Sequence, residues 1–224
     1  MPPLFVVLWA SGFVVTKLGI RFAEPFTFLL YRFVIVTLLL AVIALATGAP
    51  WPRTWRLTGH IAVVGLFLQA IYLGGVYTAI ARGIPAGISA LIVGVQPIII
   101  AAVVGPLLGE RVRARQWLGL VLGFLGIGLV LWNKLSLDIG QLEGVAWNVV
   151  GLIGITVATL YQKKYCSQMD WRSGGVIQYS AAAAATYAMT LIMTKQLKRV
   201  TLRLVPAPAR MRPAGRNLKS AIAS

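Results

Sequence analysis

Apolar residues occur along the chain in seven continuous runs that are separated by short polar connections. The runs cover residues 4–20, 26–46, 58–80, 85–108, 115–132, 144–162 and 175–194. Each is close to the roughly 20 residues that an α-helix needs to cross a bilayer. Continuous runs favour helices over barrel strands, which alternate apolar and polar positions. The pattern predicts an all-α, polytopic membrane helix bundle of about seven transmembrane helices.

Composition and charge agree with a membrane protein. Hydrophobic residues make up 58% of the chain and charged residues 12%, which is unlike a soluble domain. A net charge of +16 would ordinarily suggest nucleic acid. Here the basic residues lie mostly in the short connections, where they signal topology, and in the last thirty residues. We therefore expect a lipid bilayer as partner and no nucleic acid.

The distribution of basic residues predicts an orientation. The connections after the second, fourth and sixth runs carry eight of them, and those after the first, third and fifth runs carry four. Because Lys and Arg are enriched in cytoplasmic loops, the amino terminus is predicted to be cytoplasmic. Seven crossings would then place the basic, proline-containing segment 195–224 outside. We predict that this segment is a disordered tail. It is either native or the product of a frame shift or truncation, and a cytoplasmic lipid-binding role is the competing interpretation.

The inventory of reactive groups argues against an enzyme and against ATP-driven pumping. The acidic residues fall at run ends or in connections: Glu24, Glu110, Asp138, Glu143 and Asp170. A buried carboxylate relay is therefore unsupported. The single Cys166 excludes a multi-cysteine metal cluster, and there is no phosphate-binding loop or His-Glu-x-x-His motif. We expect no cofactor and no metal.

Polar side chains inside the apolar runs are costly, and they are the candidates for function. Arg32 lies about 9 Å into the second run at about 1.5 Å per residue. It could attract an anionic group such as a carboxylate, or it could pair with Glu24 or with backbone carbonyls. Lys17, near the outer end of the first run, either lines a cavity or extends its ammonium group to the interface.

The later runs add further substrate-binding candidates. Gln69 and Tyr72 are three residues apart and share a helix face, whereas Tyr77 need not align with them. Gln96 precedes Pro97, which disrupts the helical bond to the carbonyl of Val93 and could create a polar notch or a purely structural kink. Tyr161 lies near the end of the sixth run, and Gln178 lies early in the seventh. In the fifth run, Gly119 and Gly123 form a small-residue face that favours helix packing.

Several of these residues stand in a combination that resembles the EamA family of the drug/metabolite transporter superfamily. The first run contains Trp9, Ala10, Ser11, Gly12 and Phe13, with Lys17 near its end, and the second contains Arg32. The fourth continues from Pro97 to Gly109, Glu110 and Arg111. It is followed by Gln116, Gly119, Gly123, Gly126 and Gly128. This resemblance covers residues 4–132.

The resemblance implies one complete five-helix repeat at 4–132 and a partial, inverted second repeat at 144–194. Family members of full length have ten helices, so the chain looks truncated in its second repeat. The family implies a permease for efflux or exchange of small metabolites such as amino acids, with Trp9 added to the substrate-binding candidates. It also implies a bacterial inner membrane. The alternative is a truncated, non-transporting protein or a half-transporter that needs a partner chain. A second copy of the chain is a candidate partner.

Overall fold

The computed structural model describes residues 2–19, 24–109, 113–132 and 139–204. Within these ranges the chain forms seven helices and no strand. They are α1 (Pro2–Gly19), α2 (Pro25–Ala46), α3 (Trp55–Ala81), α4 (Ala86–Val93 followed by Gln96–Leu108), α5 (Ala114–Trp132), α6 (Ile139–Tyr165) and α7 (Trp171–Leu204). By length and composition, α2, α3, α4 and α6 are able to cross a membrane. The protein is an all-α membrane helix bundle, as predicted. That α1, α5 and α7 also cross stays a prediction.

Local sequence explains where several helices begin and end. Pro25 opens α2, where its fixed φ suits the first turn. The Thr54 side chain accepts a hydrogen bond from the Leu57 N–H at the start of α3. Gly83 ends α3 with a φ of 94°, a conformation that favours glycine. Its N–H donates to the Ile80 carbonyl and the next N–H donates to Ala79, which closes the helix with a Schellman motif.

Helix α3 is the central helix of the unit formed by Met1–Thr190. In the most apolar 18-residue stretch of α3, 61% of the residues are buried, whereas in the corresponding stretch of α2 only 17% are buried. Buried residues of α3 pack with Phe13 of α1 and Ile155 of α6 in one cluster, and with Leu29 and Phe33 of α2 in another. Since lipid is as apolar as these side chains, close packing rather than water exclusion must hold such helices together.

Glycines allow that close packing between α3 and α6. A Cβ atom built on Gly75 would lie 2.6 Å from the Trp147 carbonyl oxygen and 2.8 Å from the Gly151 nitrogen. One built on Gly154 would lie 3.1 Å from the Phe67 carbonyl oxygen. By contrast, nothing lies within 4 Å of a Cβ atom built on Gly119 or Gly123 of α5. Close backbone contacts therefore join α3 and α6, and the glycine face of α5 is open in the described structure.

Two helices depart from regular α geometry. Leu66–Ile71 of α3 forms a π-helical segment, a type of bulge that is often found at functional sites. Helix α4 is interrupted at Gly94 and Val95, just before Gln96 and Pro97. The interruption follows from the missing N–H of Pro97 and was predicted from the sequence. Both irregular segments lie in the middle of long apolar helices.

The connections meet in pairs at opposite ends of the bundle. At one end, Arg172 of α7 donates to the Thr47 hydroxyl at the end of α2 over 2.8 Å, and Ser173 donates to the Pro50 carbonyl. At the other end, Arg82 after α3 forms an ion pair with Glu143 of α6. The loops after α2 and α6 thus lie together, away from the loop after α3. The direction of the bundle in the membrane remains a prediction.

The contact at the α6–α7 connection predicts a dependence on pH. Hydrogen bonds from Arg172 lower the pKa of Asp170 to about 2. Because the folded-state pKa is depressed, the stabilisation is present above the unfolded pKa of about 3.9 and is lost as the pH falls through about 2. We expect Asp170→Asn to lower the melting temperature at neutral pH. The difference from wild type should shrink below about pH 4, and a constant difference across that range would contradict this account.

The second compact unit is Leu191–Ser224, and its first residues are helical. The tail was predicted to be disordered from residue 195, but α7 continues to Leu204. The reason is local, because residues 195–204 contain Lys, Gln, Leu and Arg, which favour helices, and the first proline is Pro206. Residues 205–224 lie outside the described residues. The division into repeats at 4–132 and 144–194 stays a prediction.

Candidate functional site

A cavity of about 210 Å³ lies between α1, α2, α3 and α6, and we call it the central cavity. Its lining includes three of the predicted residues, Arg32, Gln69 and Tyr72. The others are Gly12, Phe13, Thr16, Leu68, Leu73, Val76, Tyr77 and Ile155. The wall is therefore mostly apolar and aromatic, with a few convergent polar groups, which is typical of a small-molecule site.

Arg32 is held in this cavity by a tyrosine from α3. Its Nη1 donates to the Tyr77 hydroxyl over 2.7 Å, and the Tyr77 ring stacks on Phe28 with centroids 5.9 Å apart. Tyr77 is 1% exposed, so its position is fixed by packing. Neither alternative predicted for Arg32, a pair with Glu24 or a bond to a backbone carbonyl, occurs among the described contacts. The arginine is half-buried and retains donors beyond the one that Tyr77 uses.

The charge of Arg32 is not neutralised within the described part of the chain. There, Glu143 pairs with Arg82 and Asp170 pairs with Arg172, and no carboxylate pairs with Arg32. An arginine in a membrane helix normally pairs with an anion or with backbone carbonyls because burying a lone charge is costly. The arrangement can therefore accept an anionic group, and the planar guanidinium suits the two oxygens of a carboxylate.

Tyr77 was not among the residues predicted for the site, since it need not align with Gln69 and Tyr72. The structure places it in the same cavity wall. A signal was present, because Tyr77 is four residues after Leu73 and eight after Gln69, which are spacings that bring side chains to one helix face. Thr16 was also missed. It lines the cavity while its hydroxyl donates to the Gly12 carbonyl over 2.7 Å.

Gln96 and Pro97 lie outside the central cavity. The Gln96 amide donates to the Thr159 hydroxyl at 3.0 Å and to the Ile155 carbonyl at 3.4 Å. It therefore ties the interruption of α4 to α6, directly behind a residue that lines the cavity. Pro97 borders a separate hollow between α4, α5 and α6 that includes Gly119 and Lys163. A substrate contact for either residue stays a prediction.

Tyr161 and Gln178 also serve contacts between helices. The Tyr161 hydroxyl forms a 2.7 Å hydrogen bond with Nδ1 of His60, and both rings pack with Tyr165. Gln178 is buried where α7 crosses α3, and its backbone would lie 2.4 Å from a Cβ atom on Gly65. Helix packing fixes the positions of both residues. They contact α3 at His60 and Gly65, which precede Tyr77 by three turns or more.

The two candidates on α1 have different outcomes. Lys17 is exposed and is not part of the cavity lining. The side chain of Trp9 lies outside the described residues. Among the residues that the structure describes, no group of three His, Cys, Asp or Glu side chains could hold a metal ion.

These features define the class of protein: a multispan helical membrane protein whose bundle encloses a small, mostly apolar cavity with a few polar groups. Residues 4–132 match the model of the EamA-like transporter family. The match covers more than half of the chain, and the protein belongs to this family. The resemblance found in the sequence is thereby confirmed, and it points to a transporter rather than to an enzyme.

Curated relatives are also transporters. The chain is 25% identical over 194 residues to the uncharacterized inner membrane transporter YedA of Escherichia coli, covering 85% of this chain and 61% of YedA. It is 27% identical to the uncharacterized transporter YvbV of Bacillus subtilis, covering 74% and 53%. It is 24% identical to a probable amino-acid metabolite efflux pump of Salmonella typhimurium, covering 72% and 52%. The chain thus spans between half and two thirds of these relatives. No solved structure gives a significant match.

Proposed function

We propose that the protein is a permease for small metabolites that carry a carboxylate, such as amino acids, and that it exports or exchanges them by alternating access without ATP hydrolysis. The observation that carries the proposal is Arg32, a cation in the central cavity that is held by Tyr77 and lacks a described carboxylate partner. Family membership and the name of the Salmonella relative support the substrate class. The chain spans only part of its relatives, so the activity of the whole protein belongs to the proposal.

The rest of the arrangement supports the same function. Gln69 and Tyr72 add polar groups near the arginine, while Phe13, Leu73 and Val76 supply an apolar wall for the remainder of a substrate. We propose an inner-membrane location with a cytoplasmic amino terminus, from the YedA relative and from the Lys and Arg bias of the connections. Helix α6, most of which would belong to the proposed second repeat at 144–194, contributes Ile155 to the cavity wall.

The test compares ligands that differ only in the carboxylate. Purified protein in nanodiscs is heated with L-leucine, with L-leucine methyl ester, or with neither. A ligand that binds only the folded state raises the free energy of unfolding by RT ln(1 + [L]/Kd), and the melting temperature rises with it. We expect the amino acid, and not its ester, to raise it. Equal effects of the two compounds, or no effect of any amino acid in a panel, would contradict the proposed carboxylate site.

Transport is tested separately in liposomes. Vesicles that contain the protein and are loaded with unlabelled leucine should accumulate labelled leucine by counterflow without ATP. Vesicles without protein serve as the control. Binding without counterflow would overturn transport by this chain alone and favour the alternative, in which the chain works only with a partner.

A further inference from the structure

A second cavity opens beside the central one, between α1 and α2, and we call it the lateral cavity. It has a volume of about 450 Å³. Gly12, Arg32 and Tyr77 line both cavities, so the arginine stands at their junction. The rest of the lateral lining is Ser11, Val15, Phe28, Tyr31, Ile35 and Val36.

The lateral cavity opens on an exposed, mostly apolar part of the bundle surface, the kind of surface that a bilayer covers. Val15 and Ile35 are each 56% exposed and Tyr31 is 66% exposed. Its walls are mostly apolar, and Arg32 is at its inner end. A ligand that fits this arrangement has an apolar chain in the lateral cavity and an anionic head at the guanidinium.

Gly12 keeps the junction between the two cavities open. A Cβ atom built on Gly12 would meet nothing within 4 Å, so this glycine is not required for close helix packing, in contrast to Gly75. Its missing side chain leaves space at the junction that Arg32 also lines. A large side chain at this position would fill the junction without displacing a neighbouring helix.

The volumes favour the lateral cavity as the place for the apolar chain of the ligand. Pockets for small molecules usually measure about 300–1,000 Å³. The central cavity is below that range and the lateral cavity is within it. Moving an apolar chain from lipid into the lateral cavity gains little, because lipid is as apolar as the wall. Selection must therefore come from the charged head at Arg32.

We infer that the protein takes amphipathic carboxylates from the bilayer, through the opening between α1 and α2, with the apolar chain in the lateral cavity and the carboxylate on Arg32. The inference rests on the proposed carboxylate site and extends it to substrates that partition into lipid. Gly12 is the residue that keeps the path open. Ligands without the charge would enter the groove no more readily than they enter the surrounding lipid.

Photocrosslinking tests this inference. The full chain in nanodiscs is irradiated with a fatty acid that carries a diazirine in its chain, and separately with the methyl ester of the same compound, at mildly alkaline pH. Labelled positions are mapped by mass spectrometry. We expect the acid to label residues of α1 and α2 that line the lateral cavity several-fold more than the ester does.

Two variants complete the test. Gly12→Leu should reduce labelling by the acid to the level of the ester. Gly128→Leu should leave it unchanged, because Gly128 is also a helical glycine with nothing within 4 Å of a built Cβ atom. Equal labelling by acid and ester, labelling spread over all lipid-facing helices, or no effect of Gly12→Leu would overturn the inference.

The outcome is separable from that of the proposed function. If leucine raises the melting temperature but the fatty acid labels no more than its ester, the carboxylate site stands and entry from the bilayer is wrong. If neither leucine nor the fatty acid acts through its carboxylate, both proposals fail.

Discussion

Gly75→Leu should prevent the helix bundle from folding. The Cβ atom alone would lie 2.6 Å from the Trp147 carbonyl oxygen and 2.8 Å from the Gly151 nitrogen, which are backbone atoms that cannot rotate away. Overpacking a core usually costs about 1–3 kcal/mol even where side chains can adjust. Here α3 and α6 would have to separate along their whole contact. We expect Gly75→Ala to lower the melting temperature and Gly75→Leu to abolish the monodisperse protein on size-exclusion chromatography.

Gly119→Leu is the matched control for this prediction. Gly119 is also a helical glycine of an apolar helix, but nothing lies within 4 Å of its built Cβ atom. The substitution should leave the melting temperature unchanged or raise it, since leucine favours helices by nearly 1 kcal/mol over glycine. If Gly75→Leu and Gly119→Leu behaved alike, the close contact between α3 and α6 would not be what holds the bundle together.

Arg32→Gln should remove most of the affinity for carboxylates. Hydrogen bonds to charged groups contribute about 1.5–3 kcal/mol, and each 1.4 kcal/mol is tenfold in affinity. We therefore expect the Kd for leucine to rise by roughly 10- to 100-fold. The Kd of Arg32→Lys for leucine should lie between those of the wild type and of Arg32→Gln, because lysine keeps the charge but loses the planar fork. Ligand-dependent melting temperatures, measured over a range of leucine concentrations, give these constants.

Arg82→Gln is the control for charge removal. The Arg82 side chain is 42% exposed and pairs with Glu143 at the surface, where such pairs contribute about 0–1 kcal/mol to stability. The Arg82→Gln variant should therefore bind leucine with unchanged affinity. Unchanged affinity in Arg32→Gln would make Arg32 a structural residue that serves only Tyr77.

The positions of the helices could be predicted from the sequence because the bilayer requires long apolar runs. The predicted run at 26–46 matches α2 (Pro25–Ala46), and the run at 85–108 matches α4, including its interruption before Pro97. The end of α7 was less predictable. Basic residues such as Lys198 and Arg203 are unsuited to a membrane span, but they do not oppose helical structure.

The site was predictable in part for a similar reason. Arg32, Gln69 and Tyr72 were found because polar groups inside apolar runs need a partner or a cavity. The same reasoning cannot distinguish a cavity from a helix contact. The polar groups of Gln96 and Tyr161 form hydrogen bonds with residues of α6 and α3, respectively. Only the packing of the helices decides which polar residue faces which neighbour.

The π-helical segment of α3 has a consequence for comparing this protein with its relatives. A π turn accommodates about one more residue than an α turn, and each residue advances an α-helix by about 100°. A relative with one residue fewer between positions 66 and 71 would carry a regular α-helix there. Aligned without a gap, its counterpart of Tyr77 would be assigned to the wrong side of the helix. A one-residue gap in this segment is therefore the evolutionary signature to look for in homologues. The counterpart of the tyrosine that supports Arg32 should be identified only after that gap has been introduced into the alignment.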